Sequence, residues 1–446
     1  MAASIPPSHR RPKVAVVGSG ISGLAVAHAL KGRADITLFE AGSYFGGHTH
    51  TVDITLPTAQ GPRTHGVDTG FLVFNERTYP HLIKLFAELD VKTVPTDMSF
   101  SVKVPRAQGG TALEWSGSSL NTVFAQRRNL LNWKFLRMLR DIVRFNRLAT
   151  AIAESQTEAS MMQPLGEFLS ASRFSDEFRD WYFLPMLGCI WSCPTDQMLQ
   201  FPVATMIRFC HNHGLIQVAN RPRWWTVTGG AKHYVDKIIA GITDKRLNTP
   251  VRAIERDENT AAGGVRITLD TGVERFDKVV LATHSDQSLA LLNNASDTER
   301  AVLGAISYQP NRAVLHTDAS VLPANKLAWA AWNYERAQDG RQEANQVCLH
   351  YLLNMLQPLP FGQPVIVSLN PVHPIAAQHI IGEFDYAHPV FDGAAIRAQK
   401  DVGGLQGQQN SYFCGAWTGY GFHEDGLKSG LRVAQQLLQD FAGASR

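Results

Sequence analysis

The sequence predicts an α/β chain in which a discontinuous Rossmann-like domain is joined to an α+β domain. Three observations predict it. Residues 13–17, Lys-Val-Ala-Val-Val, read as a short buried strand that runs into Gly18-Ser19-Gly20-Ile21-Ser22-Gly23 and a helix over about 22–30. Residues 36–40, Ile-Thr-Leu-Phe-Glu, form a second strand that ends in an acid. Near the C-terminus, residues 412–430 read as a strand, a glycine-rich loop and a helix that starts near Glu424. A chain of 446 residues exceeds one compact core and suits two interleaved domains.

Each element has a physical reason. Gly18 allows the tight turn out of the first strand, Gly20 lets a pyrophosphate approach the backbone, and Gly23 lets helix and strand pack closely. The helix N-terminus, at Ile21 and Ser22, offers unpaired N–H groups and a positive dipole end to phosphate. Glu40 stands where a carboxylate accepts both ribose hydroxyls and disfavours a 2′-phosphate. The paired glycines Gly46-Gly47, shortly after Ala41, let a second backbone stretch run along an extended diphosphate. A helix N-terminus near Glu424, aimed at the N1–C2=O edge of an isoalloxazine ring, would stabilise an anionic reduced flavin.

Taken together, these segments resemble the amine oxidase/phytoene desaturase superfamily of FAD enzymes over nearly the whole chain. The resemblance implies FAD as cofactor and an amine-oxidase-like two-domain architecture. It implies phosphate contacts from Gly18, Gly20, Ile21, Ser22 and Gly23, ribose contact from Glu40 and Ala41, and diphosphate contact from Gly46, Gly47 and His48. Val251 matches the strand whose backbone meets adenine, Asp68 and Gly70 lie in a loop folded toward the flavin, and Gly415, Glu424, Asp425 and Gly426 match the C-terminal flavin segment. Two positions depart from the family pattern: His48 stands where Arg is usual after the glycine pair, and Ala416 where an acid is usual. The stretches at 47–52, 67–75, 190–192 and 421–426 are similar to a narrower lipid-associated branch. That branch includes flavoproteins associated with cyclopropane-fatty-acid-synthase-like enzymes and the N-terminal flavin domain of plant cyclopropane synthases.

A helical segment at 233–242, a hairpin over 266–272 and a buried strand at 278–283 complete the nucleotide domain in the resembling family. The expected FAD-binding domain therefore comprises 12–75, 221–289 and 401–443, and the substrate domain 76–220 and 290–400. No second GxGxxG stands in a strand–helix context, so the flavin is expected to be reduced by the organic substrate or to cycle within one turnover.

Composition bounds the partners. The net charge of +3 gives no reason to expect nucleic acid. Five cysteines without a CxxC pair or tight Cys/His spacing indicate a reduced, cytoplasmic compartment and no metal. The first ten residues lack the apolar core of a signal peptide, and the apolar stretch after Arg10-Arg11 reads as a strand where a twin-arginine signal would have its core. No apolar run approaches the roughly 18 residues of a membrane-spanning helix. A helix expected over 132–152 carries Arg137, Arg140, Arg144 and Arg147 on one face, beside the apolar Phe135, Leu136, Leu139, Ile142 and Val143. It reads either as a basic amphipathic helix resting on anionic lipid at the inner membrane surface or as a solvated polar face.

The resemblance and the basic helix together imply an FAD-dependent enzyme acting on an unsaturated fatty acyl chain, free or in phospholipid, by desaturation or by flavin-mediated double-bond isomerisation. Candidate catalytic residues are His423, Glu424 and Tyr420 beside the proposed ring helix, with His423 as a proton shuttle. Phe183, Leu187, Ile190, Trp191, Phe201, Met206 and Phe209 line a tunnel or form core. The alternatives are an amine oxidase, with Trp417 and Tyr420 in an aromatic cage, or a non-catalytic flavoprotein that partners a lipid methyltransferase.

Overall fold

A computed structural model of the chain describes residues 10–105, 110–155, 163–217, 221–257, 264–337 and 347–444. Residues 1–9, where no signal-peptide core is expected, lie outside the described residues. The fold divides into two compact units: Met1–Thr49 with Tyr234–Ile306 and Ala398–Arg446, and His50–His233 with Ser307–Arg397.

The first unit is built on β1 (Lys13–Val17), α1 (Ile21–Ala29) and β2 (Asp35–Phe39). Strands Asp244–Arg246, β2, β1, Lys278–Leu281 and Ser411–Phe413 form, in that order, a parallel five-stranded sheet. Val14, Ala15 and Val16 are fully buried, as central parallel strands require. Beside it, Ala253–Asp257, Gly264–Leu269 and Gly272–Phe276 make an antiparallel sheet. The C-terminal helix, His423–Ala444, packs along α1.

The second unit carries a seven-stranded sheet in the order Ile380–Pro389, Tyr308–His316, Ile366–Leu369, Cys348–Leu352, Trp332–Glu335, Phe100–Val104 and Leu113–Ser116. It also holds the Thr51–Thr58/Gly61–Asp68 hairpin and the long Trp133–Glu154 helix. Three borders lie well away from the expected ones. The hairpin and the Trp224–Val227 strand belong here, because that strand pairs with Phe74–Asn75 and Thr93–Thr96. Residues 290–306 join the first unit, where a buried ion pair holds Arg256 to Glu299.

The long helix departs from its expected faces. It buries Phe135, Met138, Asp141, Phe145 and Ala149, while Leu136 and Val143 are exposed. Part of its arginine stripe is engaged within the unit: Arg137 pairs with Glu177, and Arg144 donates to the Ser172 and Arg173 carbonyls and stacks over Phe174. The expected tunnel residues Phe183, Leu187, Trp191, Phe201, Met206 and Phe209 are all buried, with Trp191 packed on both Phe201 and Phe209.

Candidate functional site

The glycines of the first loop serve different purposes. Gly18 holds φ +100°, and a Cβ there would stand 2.8 Å from the Ala282 carbonyl oxygen. A Cβ on Gly23 would overlap the Gly18 carbonyl oxygen. Gly20 is under no such constraint: its φ is −63°, and a Cβ there meets nothing within 4 Å. The protein itself has no need of a glycine at that position, so the bare backbone is available to a ligand. Gly20 caps α1 without a side-chain hydrogen bond, and the first turn, at Ile21, Ser22 and Gly23, contains no acid. Its amide donors therefore point at an anion-binding position.

A second loop lies against the first. Gly46 N–H donates to the Ser19 carbonyl at 3.1 Å, and a Cβ on Gly47 would come 3.1 Å from Gly20 Cα. The C-terminal helix closes the same place: a Cβ on Gly426 would stand 2.8 Å from Ile21 Cγ2 and 3.0 Å from Ser22 Oγ. Two helix N-termini thus meet beside two glycine loops. Open backbone, uncapped donors and two positive dipole ends fit a dinucleotide diphosphate.

Glu40 follows β2 and is held by protein donors. One carboxylate oxygen accepts from Ser19 N–H at 3.1 Å and Ser19 Oγ at 2.5 Å, the other from Gly42 N–H at 2.8 Å. A carboxylate has about four lone-pair sites, so it is not saturated by these three. Ser19 is a residue the sequence reading passed over: its hydroxyl also accepts from Gly46 N–H at 3.2 Å, tying both loops to Glu40. The chain near Val251 is brought to the same strand end, since Asn248 N–H donates to the Gly42 carbonyl and Thr249 N–H to that of Glu40. Ala41 lies between them in sequence.

The C-terminal loop is organised around Asp425. Its Oδ2 accepts the N–H groups of Tyr420 at 3.0 Å and Phe422 at 3.1 Å, and burial pushes its pKa up to about 6. Glu424 is buried in the same first helical turn. His423 is buried, with Nε2 2.6 Å from the Tyr234 hydroxyl and 3.4 Å from Thr49 Oγ1. Burial pushes its pKa down to about 3, which favours the neutral ring. The ring ties three distant segments: the Gly46–Thr49 loop, the Lys232–Ile239 helix and the ring helix. Thr49 and Tyr234 were missed because no local pattern marks a partner so far away in sequence. Trp417 is 2% exposed, its indole N–H donating to the Thr283 carbonyl at 3.1 Å, and Gly415 lies directly against the indole.

Asp68 and Gly70 belong to the second unit. Asp68 is a brace there. Its carboxylate accepts from Thr51 Oγ1, Ala231 N–H at 2.9 Å and Gln357 Nε2 at 2.8 Å. Burial pushes its pKa up to about 7 against the pull of these donors and Lys232.

Among the described residues, Glu335, Cys348 and His350 in the second unit stand close enough to share a metal ion. They already have a cation, since Lys103 Nζ lies 2.8 Å from Glu335 Oε1. From Glu335 a hydrogen-bonded row crosses the sheet: His350 Nε2 at 3.1 Å, Ser368 Oγ at 2.6 Å from His350 Nδ1, and His316 Nε2 at 2.7 Å from the same hydroxyl. Burial works to raise the Glu335 pKa, but His350 and Lys103 outweigh it and hold it near about 2.

Comparison with known proteins gives the same assignment. The flavin containing amine oxidoreductase family matches residues 21–339. A stretch of 50 residues is 50% identical to tryptophan 2-monooxygenase of Allorhizobium ampelinum, spanning 11% of this chain and only 7% of that protein's length. The fold is shared with cyclohexylamine oxidase from Brevibacterium oxydans IH-35A at TM-score 0.66 and 15% identity, covering 97% of this chain and 100% of that one. It is shared as well with the CLA-producing fatty acid isomerase from P. acnes at TM-score 0.63 and 16% identity, covering 95% and 98%. The chain belongs to the flavin-containing amine oxidoreductase family, whose members are by class FAD-dependent oxidoreductases.

Proposed function

We propose that the substrate is an unsaturated fatty acyl chain, free or esterified in phospholipid, and that the reaction is desaturation or double-bond isomerisation. The observation that carries this reading is Trp417. An amine-oxidase cage that drew on Trp417 would use the indole as a wall. Here the indole is packed away, with its N–H on Thr283 and the Trp417 carbonyl accepting from Gln399 at 2.8 Å. The resemblance of the stretches at 47–52, 67–75, 190–192 and 421–426 to a lipid-associated branch supports the same substrate class, and the fold held in common with a fatty acid isomerase is compatible with it. The lack of a second dinucleotide motif suits a reaction in which electrons come from the organic substrate.

In this reading the diphosphate of FAD lies on α1's N-terminus and Gly46-Gly47, the ribose on Glu40, adenine along Val251, and the ring at Gly415–Gly426. FAD supplies a hydride acceptor that is able to return what it takes. The chain's own part is placement. Asp425 fixes the loop that carries Tyr420, and neutral His423 holds the ring helix to Thr49 and Tyr234. Glu424, in the first turn of the ring helix, is the carboxylate placed to move a proton.

The test is the visible spectrum of the purified holoprotein under anaerobic conditions, before and after unsaturated phospholipid or fatty acid, followed by analysis of the recovered lipid. Bleaching with a new double bond identifies a desaturase. A steady spectrum with a displaced double bond identifies an isomerase. Bleaching by primary amines with lipid untouched would overturn the proposal.

A further inference from the structure

The second unit exposes apolar side chains that its own core does not use. Leu120 is 79% exposed, Leu131 92% and Trp133 62%, and Leu130 and Leu136 are also open to water. They lie on the Leu120–Val123 turn, the Arg127–Leu131 turn and the start of the Trp133–Glu154 helix. These elements are tied together: Arg127 donates to the Asn121 and Phe124 carbonyls at 3.2 and 2.7 Å, and Phe124 packs on Phe135 with ring centroids 5.8 Å apart. The leucines are thus presented by one rigid tip.

Charge identifies what covers it. Residues 115–140 contain no Asp or Glu, yet hold Arg127, Arg128, Lys134, Arg137 and Arg140. Arg137 is neutralised by Glu177. Arg127 and Arg128 bond only neutral oxygens, of Asn121 and Phe124 and of Thr111, Ala112 and Gln126, so their charges stay uncompensated. Lys134 lies 3.9 Å from the same Glu177, and Arg140, although 71% exposed, lies 3.4 Å from the buried Asp141 carboxylate. Exposed leucines and a tryptophan beside the uncompensated Arg127 and Arg128 match an anionic bilayer surface, where apolar side chains enter the acyl boundary, Trp sits at headgroup depth and Arg and Lys meet lipid phosphates.

We infer that the tip formed by Leu120, Leu130, Leu131, Trp133 and Leu136 docks the protein on an anionic membrane, with Arg127, Arg128, Lys134 and Arg140 on the headgroups. This relocates the contact from the arginine stripe, part of which is engaged inside the unit, to the N-terminal end of the same helix. The inference does not rest on the acyl-chain reading.

The experiment is co-sedimentation of the full-length holoprotein with vesicles of phosphatidylcholine alone or mixed equally with phosphatidylglycerol. Binding is expected to the anionic vesicles only and to weaken with salt. Leu130→Ser/Leu131→Ser is expected to lower binding about tenfold or more, and Arg128→Gln and Lys134→Gln about fivefold each. Leu131→Asp is the folding control, since so exposed a side chain leaves the thermal midpoint unchanged while binding is lost. Absence of binding to anionic vesicles at low salt overturns the inference, as does equal binding by wild type and Leu130→Ser/Leu131→Ser. A lipid-free dimer in sedimentation velocity that Leu131→Asp abolishes would overturn it too, by assigning the tip to a second copy of the chain.

Discussion

Two polar regions of this protein, one of glycine-loop backbone and one of side chains across a sheet, differ in what satisfies them. In the glycine-loop region of the first unit, α1 begins without a side-chain cap or a first-turn acid, and Gly20 leaves an opening that no protein atom fills. In the row across the second unit's sheet, Lys103, Glu335, His350, Ser368 and His316 answer one another, and His316 Nδ1 accepts the Asp318 N–H at 3.1 Å. The difference teaches where to look for a ligand. Buried polar groups are nearly always paired, so a complete row signals architecture, while donors that no side chain meets signal a guest. A Ser–His–Glu sequence of contacts in the sheet is thus a brace despite its resemblance to a catalytic constellation.

Substitutions break this comparison at known points. The largest effect is expected at Gly23→Ala, whose methyl group collides with the Gly18 backbone. Overpacking costs about 1–3 kcal/mol and occasionally more; a Cβ that overlaps a backbone oxygen stands at the severe end, and the variant should yield little soluble, flavin-coloured protein. Next comes Glu335→Ala, which leaves Lys103 and His350 without their shared partner. Breaking a buried pair costs about 3–5 kcal/mol. Urea unfolding should show that loss while the folded fraction keeps its FAD, and loss of FAD at full stability would mean the row belongs to the active site after all.

Gly20→Ala is the opposite case. Its backbone suits alanine and its methyl meets no protein atom, so the thermal midpoint of the apoprotein should not fall. FAD affinity should drop about tenfold or more, roughly 1.4 kcal/mol, as read by flavin fluorescence titration. Unchanged affinity would place the diphosphate elsewhere.

The pH dependence sharpens the contrast. The folded-state pKa of His423 lies near about 3, below the 6.5 of a free histidine. Between those values the unfolded chain binds a proton that the folded chain does not. This contribution is therefore complete above pH 6.5 and is lost as pH falls toward 3. Glu335, also depressed, contributes above its ordinary range and is lost only below about 4.5, toward 2. His423→Asn should flatten the stability profile between pH 6.5 and 4.5 relative to wild type, and parallel profiles would show that the ring is not buried neutral. The smallest effect is expected at Asp425→Asn, where the remaining amide oxygen still accepts from Tyr420 and Phe422. A loss of about 1 kcal/mol should appear as a small fall in midpoint.

Much of the first unit was legible because its signals are local. The strand at 13–17 stands at its expected place, α1 spans Ile21–Ala29 against an expected 22–30, and the ring helix begins at His423 against an expected start near Glu424. Turn chemistry and period fix such elements within a dozen residues. The long helix was located but its faces were not, because Arg137 and Arg144 find partners at 172–177 that no periodicity announces. Trp417 suits either core packing or a cage wall by residue type alone, and its contacts with Thr283 and the Gly415 backbone are those of a packed ring.

By itself the sequence determined the dinucleotide fold, the flavin class and the order of the glycine loops, since each depends on backbone freedom and spacing along the chain. Tertiary structure decided what long-range pairing controls. It made Asp68 a brace, drew His423 to Tyr234 and Thr49 and held it neutral, gave Glu335 its own cation, and left Leu131 and Trp133 in water. Burial and partnership set a side chain's charge and availability, and both come from residues that the chain brings together only on folding.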